Sequence, residues 1–392
     1  MKRVVFAVWL AGMPRLASAD PPTTTIRPGQ SYSIDLYDGA PLGNAAVVGT
    51  GGAAIADSVG SSGTLLNASA SAVRPTTDTD AWSWDYHIDY LIGSLSSDYG
   101  NSGLTHPAGS DTGNNTLTGG LSFRRHDWAM AFTAVARTAM IDAPDVSGLR
   151  AQTTQYKLAL AKWFPELDMA IGLSLDSDGF AVRDGLDQPL FSIQGAGGEA
   201  GAQWIPRHQS FRIGANLVSA ITGSQVDVDS CPTTIYTCTI LPDHVVSPAR
   251  FGAGIAYRFA ETEWNQIVGG VFRDERSLTA LADVVITGPS ANGYGFDAFG
   301  LQQLERSGRH RSISIRGGVE YEWVPGRLRL RGGSYWEPNR FEGVPGRLHG
   351  TFGIEVRALE FHFWGLRRGR ITATIDEAAG YNNLGFSIGF WH

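Results

Sequence analysis

The sequence predicts an all-β fold: a transmembrane antiparallel β-barrel of about fourteen strands, preceded by a segment rich in small residues. Three observations predict it. From Trp82 onward, stretch after stretch alternates apolar and polar side chains; the connections between these stretches alternate short and long; and the last stretch is amphipathic and aromatic. A mean hydropathy of -0.10 does not oppose membrane residence, because barrel strands pair each apolar residue with a polar one. Forty-nine Gly, eleven Trp, twelve Tyr and eighteen Phe suit twisted strands with aromatic girdles, although a large soluble β protein shares that composition.

The first strand reads Trp82-Ser-Trp84-Asp-Tyr86-His-Ile88-Asp-Tyr90. Period two places Trp82, Trp84, Tyr86, Ile88 and Tyr90 on one face, and Asp85, His87 and Asp89 on the other. In a soluble sandwich the aromatic face is core; in a barrel it meets lipid, and the acidic face meets the lumen. One strand does not separate these readings, but the series does. Further strands are expected at 116–124, 128–141, 151–163, 167–176, 198–206, 210–222, 249–260, 277–287, 311–324, 327–336, 348–360, 361–376 and 382–391, an even total as in bacterial single-chain barrels. The alternation changes phase near Leu359, so 357–376 is the least regular stretch.

Arg125-His126-Asp127, Pro165-Glu166, 206–209, Pro325-Gly326 and 366–369 make short links, whereas 93–115, 177–197, 223–248, 288–310 and 337–347 are longer and polar. A soluble sandwich has no reason to sort loop lengths in this way. One link, 261–276, is long where a short turn is expected, and the sequence offers no account of it beyond a periplasmic excursion. In the hairpin around Pro325-Gly326, Glu322 faces Arg329 and Glu320 faces Arg331, with Tyr321 and Trp323 opposite Leu330 and Leu328. Pro-Gly favours a type II turn, so a bulge is the alternative to this simple register. The ionic face is assigned to the lumen. Leu384, Phe386, Ile388 and Phe390 alternate along the final strand, which is expected to close the barrel against the Trp82 strand.

Ahead of the barrel, Lys2 and Arg3, the apolar run Val4–Met13 and the small residues Ala17-Ser18-Ala19 read as a cleaved signal peptide, residues 1–19, with Asp20 as the mature start. Removing Lys2, Arg3 and Arg15 takes the net charge from -7 to -10, which argues against a nucleic-acid partner. Residues 20–81 carry little strand character, and Pro21–Ser31 reads as a flexible tail. Cys231 and Cys238 lie close together in a polar stretch; in an oxidising compartment they form one small loop disulfide, or else remain two free thiols. No zinc spacing appears, so no metal or other cofactor is expected.

The segment Leu42-Gly-Asn-Ala-Ala-Val-Val-Gly49-Thr-Gly51-Gly52-Ala53, followed by Leu66-Asn67-Ala68-Ser69-Ala70, resembles the hatch region of the FadL-like outer-membrane transporters. Gly49, Gly51, Gly52, Ala53 and Asn67 match that family's pattern, while Ala68 and Ser69 stand where Pro and Ala are usual. Gly333-Ser-Tyr335-Trp-Glu-Pro338 is a rougher echo of its Gly-x-Tyr-x-x-x-Pro strand end. The resemblance implies a hatch over 20–81 inside a barrel over 82–392, in the bacterial outer membrane. It also implies passive uptake of hydrophobic compounds such as long-chain fatty acids, with exit as the hatch shifts or through a gap between strands. Gly119-Gly120 is a candidate for a weakened strand at such a gap, or simply relief of twist. The expected partners are a hydrophobic small-molecule or lipid ligand, outer-membrane lipid and the barrel assembly machinery.

Two rival classes remain. A non-transporting scaffold or adaptor barrel for secretion or surface attachment would share every feature above. An outer-membrane hydrolase would need a nucleophile beside a His base. The only local candidates are His126-Asp127, better read as a turn, and the alternating Asp85, His87 and Asp89, so no enzyme is expected.

Overall fold

The computed structural model describes residues 22–390 apart from 28, 38, 42, 75–77, 94–97, 99, 104–113, 144–145, 224–239, 270, 301 and 364–365. Fourteen antiparallel strands close into one barrel. They are β1 (Trp82–Gly93), β2 (Asn114–Arg125), β3 (Trp128–Ala143), β4 (Val146–Phe164), β5 (Met169–Arg183), β6 (Pro189–Trp204) and β7 (Phe211–Val218). The second half comprises β8 (Arg250–Ala260), β9 (Ser277–Thr287), β10 (Ser312–Val324), β11 (Leu328–Glu337), β12 (Arg347–His362), β13 (Leu366–Ala378) and β14 (Tyr381–Phe390). Neighbours in sequence are neighbours in space, and β14 seals the wall against β1 with Ile388 opposite Ile88. Closure leaves no unpaired edge to meet lipid, the condition a strand-built membrane span must satisfy. No helix among the described residues is long and apolar enough to cross a membrane.

Outward positions carry the apolar set. Trp82, Ile88, Tyr90, Phe132, Leu160, Leu173, Ile255, Ile315 and Ile388 are exposed, while Asp85, His87 and Asp89 are buried inside. At the short-turn end the belt is aromatic, with Arg125 over Trp82 and Lys162 over Trp128. Such rings with cations beside them suit the headgroup level of a bilayer.

The alternation inverts along β4, β5 and β6. On β5, Leu173 and Leu175 face out while Ser174 and Asp176 face in; two turns of the pleat higher, Phe180 and Val182 face in and Arg183 faces out. On β6, Phe191 and Ile193 are buried while Ser192 and Gln194 are exposed. These strands therefore continue beyond the apolar band into water, where their inner face covers an apolar core. The expected link 177–197 is accordingly shortened to 184–188.

The covered core is a cap at the long-loop end, built on the chain's own N-terminal stretch. Thr23–Thr25 pairs with Gln303–Glu305, and Ser33–Asp35 pairs in parallel with His244–Ser247 and Gly293–Tyr294. Tyr32, Ile34, Phe180, Phe191, Phe299 and Leu304 pack together there. Fully buried Asp35 and Arg340 form an ion pair at 3.0 Å, and the Ser307 and Ser290 hydroxyls also donate to Asp35. The flexible tail expected over Pro21–Ser31 is thus corrected where the residues are described: Thr23–Thr25 is a paired strand and Ile26 is buried.

Two irregularities sit where the pattern announces them. A bulge between Ala358 and Glu360 leaves Leu359 at φ 59°. In the Pro325-Gly326 hairpin, Glu320 opposes Arg331, Tyr321 opposes Leu330 and Glu322 opposes Arg329, but a bulge places Val324, not Trp323, opposite Leu328. The extra residue absorbs the mismatch between the turn and the strand twist.

Candidate functional site: the barrel lumen

Residues 40–74 descend from the cap through the lumen and leave at the short-turn end, where β1 begins. They hold little regular structure: helix α1 (Ala45–Gly49), helix α2 (Gly60–Gly63) and a 3-10 turn at Ala68–Ala72. A buried irregular chain must find partners for its backbone amides, each unpaired one costing about 1–3 kcal/mol. The wall supplies them as carboxylates. Ala45 N–H donates to Asp89 at 2.8 Å, Ser61 N–H to Asp85 at 2.8 Å, and Ala68 N–H to Glu199 at 2.8 Å. Ala54 and Ile55 N–H both donate to Asp283, at 2.8 and 2.9 Å. Glu199 is in turn neutralised by Lys157 at 2.5 Å.

Two glycine grooves in the wall let the segment lie close. In the first, a Cβ on Gly333 would stand 2.4 Å from Gly51 N, and one on Gly318 would stand 2.2 Å from Thr50 O. Gly51 itself takes φ +63° with its missing Cβ 2.7 Å from Ser334 N, so neither side of this contact tolerates a side chain. In the second, Cβ atoms on Gly172, Gly201 and Gly214 would strike Ala68 O, Asn67 Oδ1 and Ile55 O at 2.1 to 2.4 Å.

The five residues singled out before the barrel all lie in the lumen, two of them in these grooves. Gly51 lies in the first, while Gly49 faces Thr374 and Arg331, Gly52 at φ +75° faces Pro41 and Arg316, and Ala53 is fully buried with Ala256 and Leu281. Asn67 is the hub of the second. Its Oδ1 accepts from Ser69 N–H at 3.1 Å and from the Ser69 hydroxyl at 2.7 Å. Its Nδ2 reaches Ile55, Ala202 and Ala215 carbonyls at 3.2–3.3 Å. The departure at Ala68 has a physical reading: a proline there would lack the N–H that Glu199 receives.

Of the wall residues, Asp85, His87 and Asp89 all face inward and meet the segment. His87 Nδ1 lies 2.9 Å from the Ser61 hydroxyl. This Ser–His–Asp proximity is closed to solvent: Ser61, His87 and Asp89 are all buried, with Gly120 against the imidazole. His126-Asp127 forms the β2–β3 turn. Glu320, Glu322, Arg329 and Arg331 make the expected ladder, with Arg329 to Glu320 at 2.9 Å, Arg331 to Glu320 at 2.7 Å and Arg329 to Glu322 at 3.2 Å. The ladder extends across Glu355 and Arg357 to Arg370, which the hairpin reading missed. Their own alternation on the following strands is the signal that would have added them. Cys231 and Cys238 lie outside the described residues. Pairing of β1, β2 and β3 runs unbroken through Gly119 and Gly120, so the described wall has no gap there.

The segment divides the lumen. Above it lies a cavity of about 1110 Å³, lined by Leu36, Val47, Leu65, Leu66 and Val135 and as much by polar groups, among them Arg137, Gln155, Asp178, Arg250 and Arg316. It continues towards the cap into a further 740 Å³ edged by Phe180, Phe296 and Phe341, and Leu36, Tyr37, Arg137 and Thr153 belong to both parts. Below the segment, a chamber of about 730 Å³ is lined mainly by charge, including Asp57, Arg212, Arg258, Glu320 and Arg329.

No protein-family model matches the sequence, and no curated protein matches it. The fold does have counterparts. A FadL homologue from Pseudomonas aeruginosa superposes with a TM-score of 0.57 at 12% identity, covering 92% of this chain and 99% of that one. The CymD monoaromatic hydrocarbon channel gives 0.51 at 12% identity, covering 89% and 97%. The toluene transporter TodX of P. putida gives 0.50 at 12% identity, covering 90% and 98%. At this identity the likeness is one of fold: the chain has the FadL-like outer-membrane barrel fold.

Proposed function

We propose that this chain is an outer-membrane channel for passive uptake of hydrophobic compounds, long-chain fatty acids among them, and that residues 20–81 are its hatch. On this reading the leader 1–19 is removed at Asp20, the barrel assembly machinery inserts the product, the short turns face the periplasm, and the cap faces outward. The observation that carries the reading is the two-part cavity above the hatch. Its upper part, edged by Phe180, Phe296 and Phe341, offers an apolar body a surface, while Arg137 stands where its two parts join.

That placement separates ligand classes. A fatty acid can set its carboxylate against Arg137 and its tail against Phe180, Phe296 and Phe341; a plain hydrocarbon uses only the rings. Uptake of a fluorescent fatty acid and of toluene, measured in cells with and without the protein, tests this directly. Expression should raise entry of at least one probe, and Arg137→Leu should reduce fatty-acid entry more than toluene entry. Equal entry with and without the barrel defeats the transport reading. Co-purification of envelope proteins with an empty lumen would then favour a scaffold.

A further inference from the structure

The long link 261–276 does not hang free below the barrel. It leaves β8, and Trp264 turns inward, buried against Ala53 and Ala56 of the hatch and Ala256 and Leu281 of the wall. The indole lies 3.9 Å from the Arg212 guanidinium, whose other side holds Asp57 of the hatch at 2.8 Å. Asn265 fixes the next position: its Nδ2 donates to the Pro206 and Phe211 carbonyls at 3.0 and 2.9 Å, and its Oδ1 accepts from Arg212 at 3.0 Å.

The link then crosses the opening. Gly269 lies against Thr79, just ahead of β1, and the ring of Phe272 lies 4.0 Å from the Arg368 guanidinium at the base of β13. Arg368 also holds Asp274 at 2.7 Å. Three strands, β10 to β12, separate β13 from β9, where the link ends. Arg273 folds back onto the Glu263, Trp264 and Gln266 carbonyls, and Glu275 pairs with Arg258 at 2.8 Å, so the excursion is tied at both ends and at its middle. Trp264, Arg273 and Glu275 line the lower chamber together with Asp57 and Val59 of the hatch.

We propose that residues 261–276 are a strap that closes the periplasmic mouth beneath the hatch, anchored by Trp264 at one side and by Asp274 on Arg368 at the other. A molecule released downward by the hatch would enter a charged, floored chamber and would reach the periplasm only after the strap lets go. This rests on the transport reading for its cargo but not for its geometry.

The test uses detergent-solubilised full-length protein with Cys231→Ser and Cys238→Ser, and a single thiol introduced by Thr279→Cys, at a lumen-facing position lining the lower chamber. Reaction with a maleimide on a polyethylene-glycol chain should be slow. Trp264→Ala, or Asp274→Asn with Arg368→Gln, should speed it tenfold or more, and Trp264→Phe should leave it slow. A thiol placed on the exposed β4–β5 turn by Glu166→Cys should react equally fast in every background, which controls for folding and reagent. A fast reaction in the strap-intact protein, or rates within twofold across all strap variants, overturns the strap. Labelling that follows the prediction while no variant transports any probe would leave the strap standing and remove the cargo.

Discussion

The two halves of the lumen differ in what they offer a guest. Above residues 40–74, four of the twenty residues around the larger cavity are charged; below them, nine of the thirteen around the lower chamber are. An apolar molecule therefore meets fewer charged groups above the segment than below it, where it would displace water from arginines and carboxylates while giving them no bond in return. The segment is thus a boundary between two chambers of different charge density, held in place by wall carboxylates and by glycine contacts rather than by a core of its own.

That contrast can be broken outright. Gly333→Leu puts a side chain where Thr50 and Gly51 backbone now lie, displacing the segment from its groove and joining the two halves. Conductance across a planar bilayer should then rise by an order of magnitude or more over the parent protein; an unchanged trace would mean that the segment does not separate the halves. A milder break is Asp283→Ala, which strands the Ala54 and Ile55 amides at about 1–3 kcal/mol each. Hydrogen exchange in a peptide covering 50–60 should accelerate at least tenfold, with exchange in β5 unchanged.

Two further measurements sharpen it. Val135→Asp carries the lower half's chemistry into the upper one, and affinity for an environment-sensitive apolar dye should drop about tenfold, roughly 1.4 kcal/mol. The smallest effect is expected at the cap. Burial, with Asp297 and Asp98 nearby, pushes the Glu305 carboxyl up to about 9. A carboxyl whose folded value lies above its unfolded one stabilises the fold fully in acid, and loses that contribution as pH rises from about 4.5 through about 9. The pairing of Thr23–Thr25 with Gln303–Glu305 should therefore loosen between pH 6 and 9.5, read as lost hydrogen-exchange protection after correction for the base-catalysed intrinsic rate, and Glu305→Gln should flatten that dependence.

How much was legible follows from range. Period-two alternation is a local property, so all fourteen strands were visible, and even the bulge at Leu359 showed as a change of phase. The ends of β4, β5 and β6 were not, because the apolar face swaps sides where these strands rise out of the membrane; a reader expecting constant phase ends the strand at Asp176 instead of Arg183. Gly51 and Asn67 were visible as a motif. Their receptors, Gly318, Gly333, Gly172, Gly201 and Gly214, were not, since a glycine in a strand looks alike whether it meets lipid, a twist or another backbone. Asp283 and Glu199 were hidden for the same reason: their partners lie 228 and 131 residues away.

The course of the N-terminal stretch, from the cap down through the lumen, constrains how the protein is made. Its last strand zips onto its first along Asn383–Gly389 and His87–Gly93. Once that seam is shut, nothing as bulky as residues 40–74, bonded on several sides, could be threaded in afterwards. Residues 40–74 must therefore be in place before β14 meets β1, which makes this stretch a template for the wall as much as its contents.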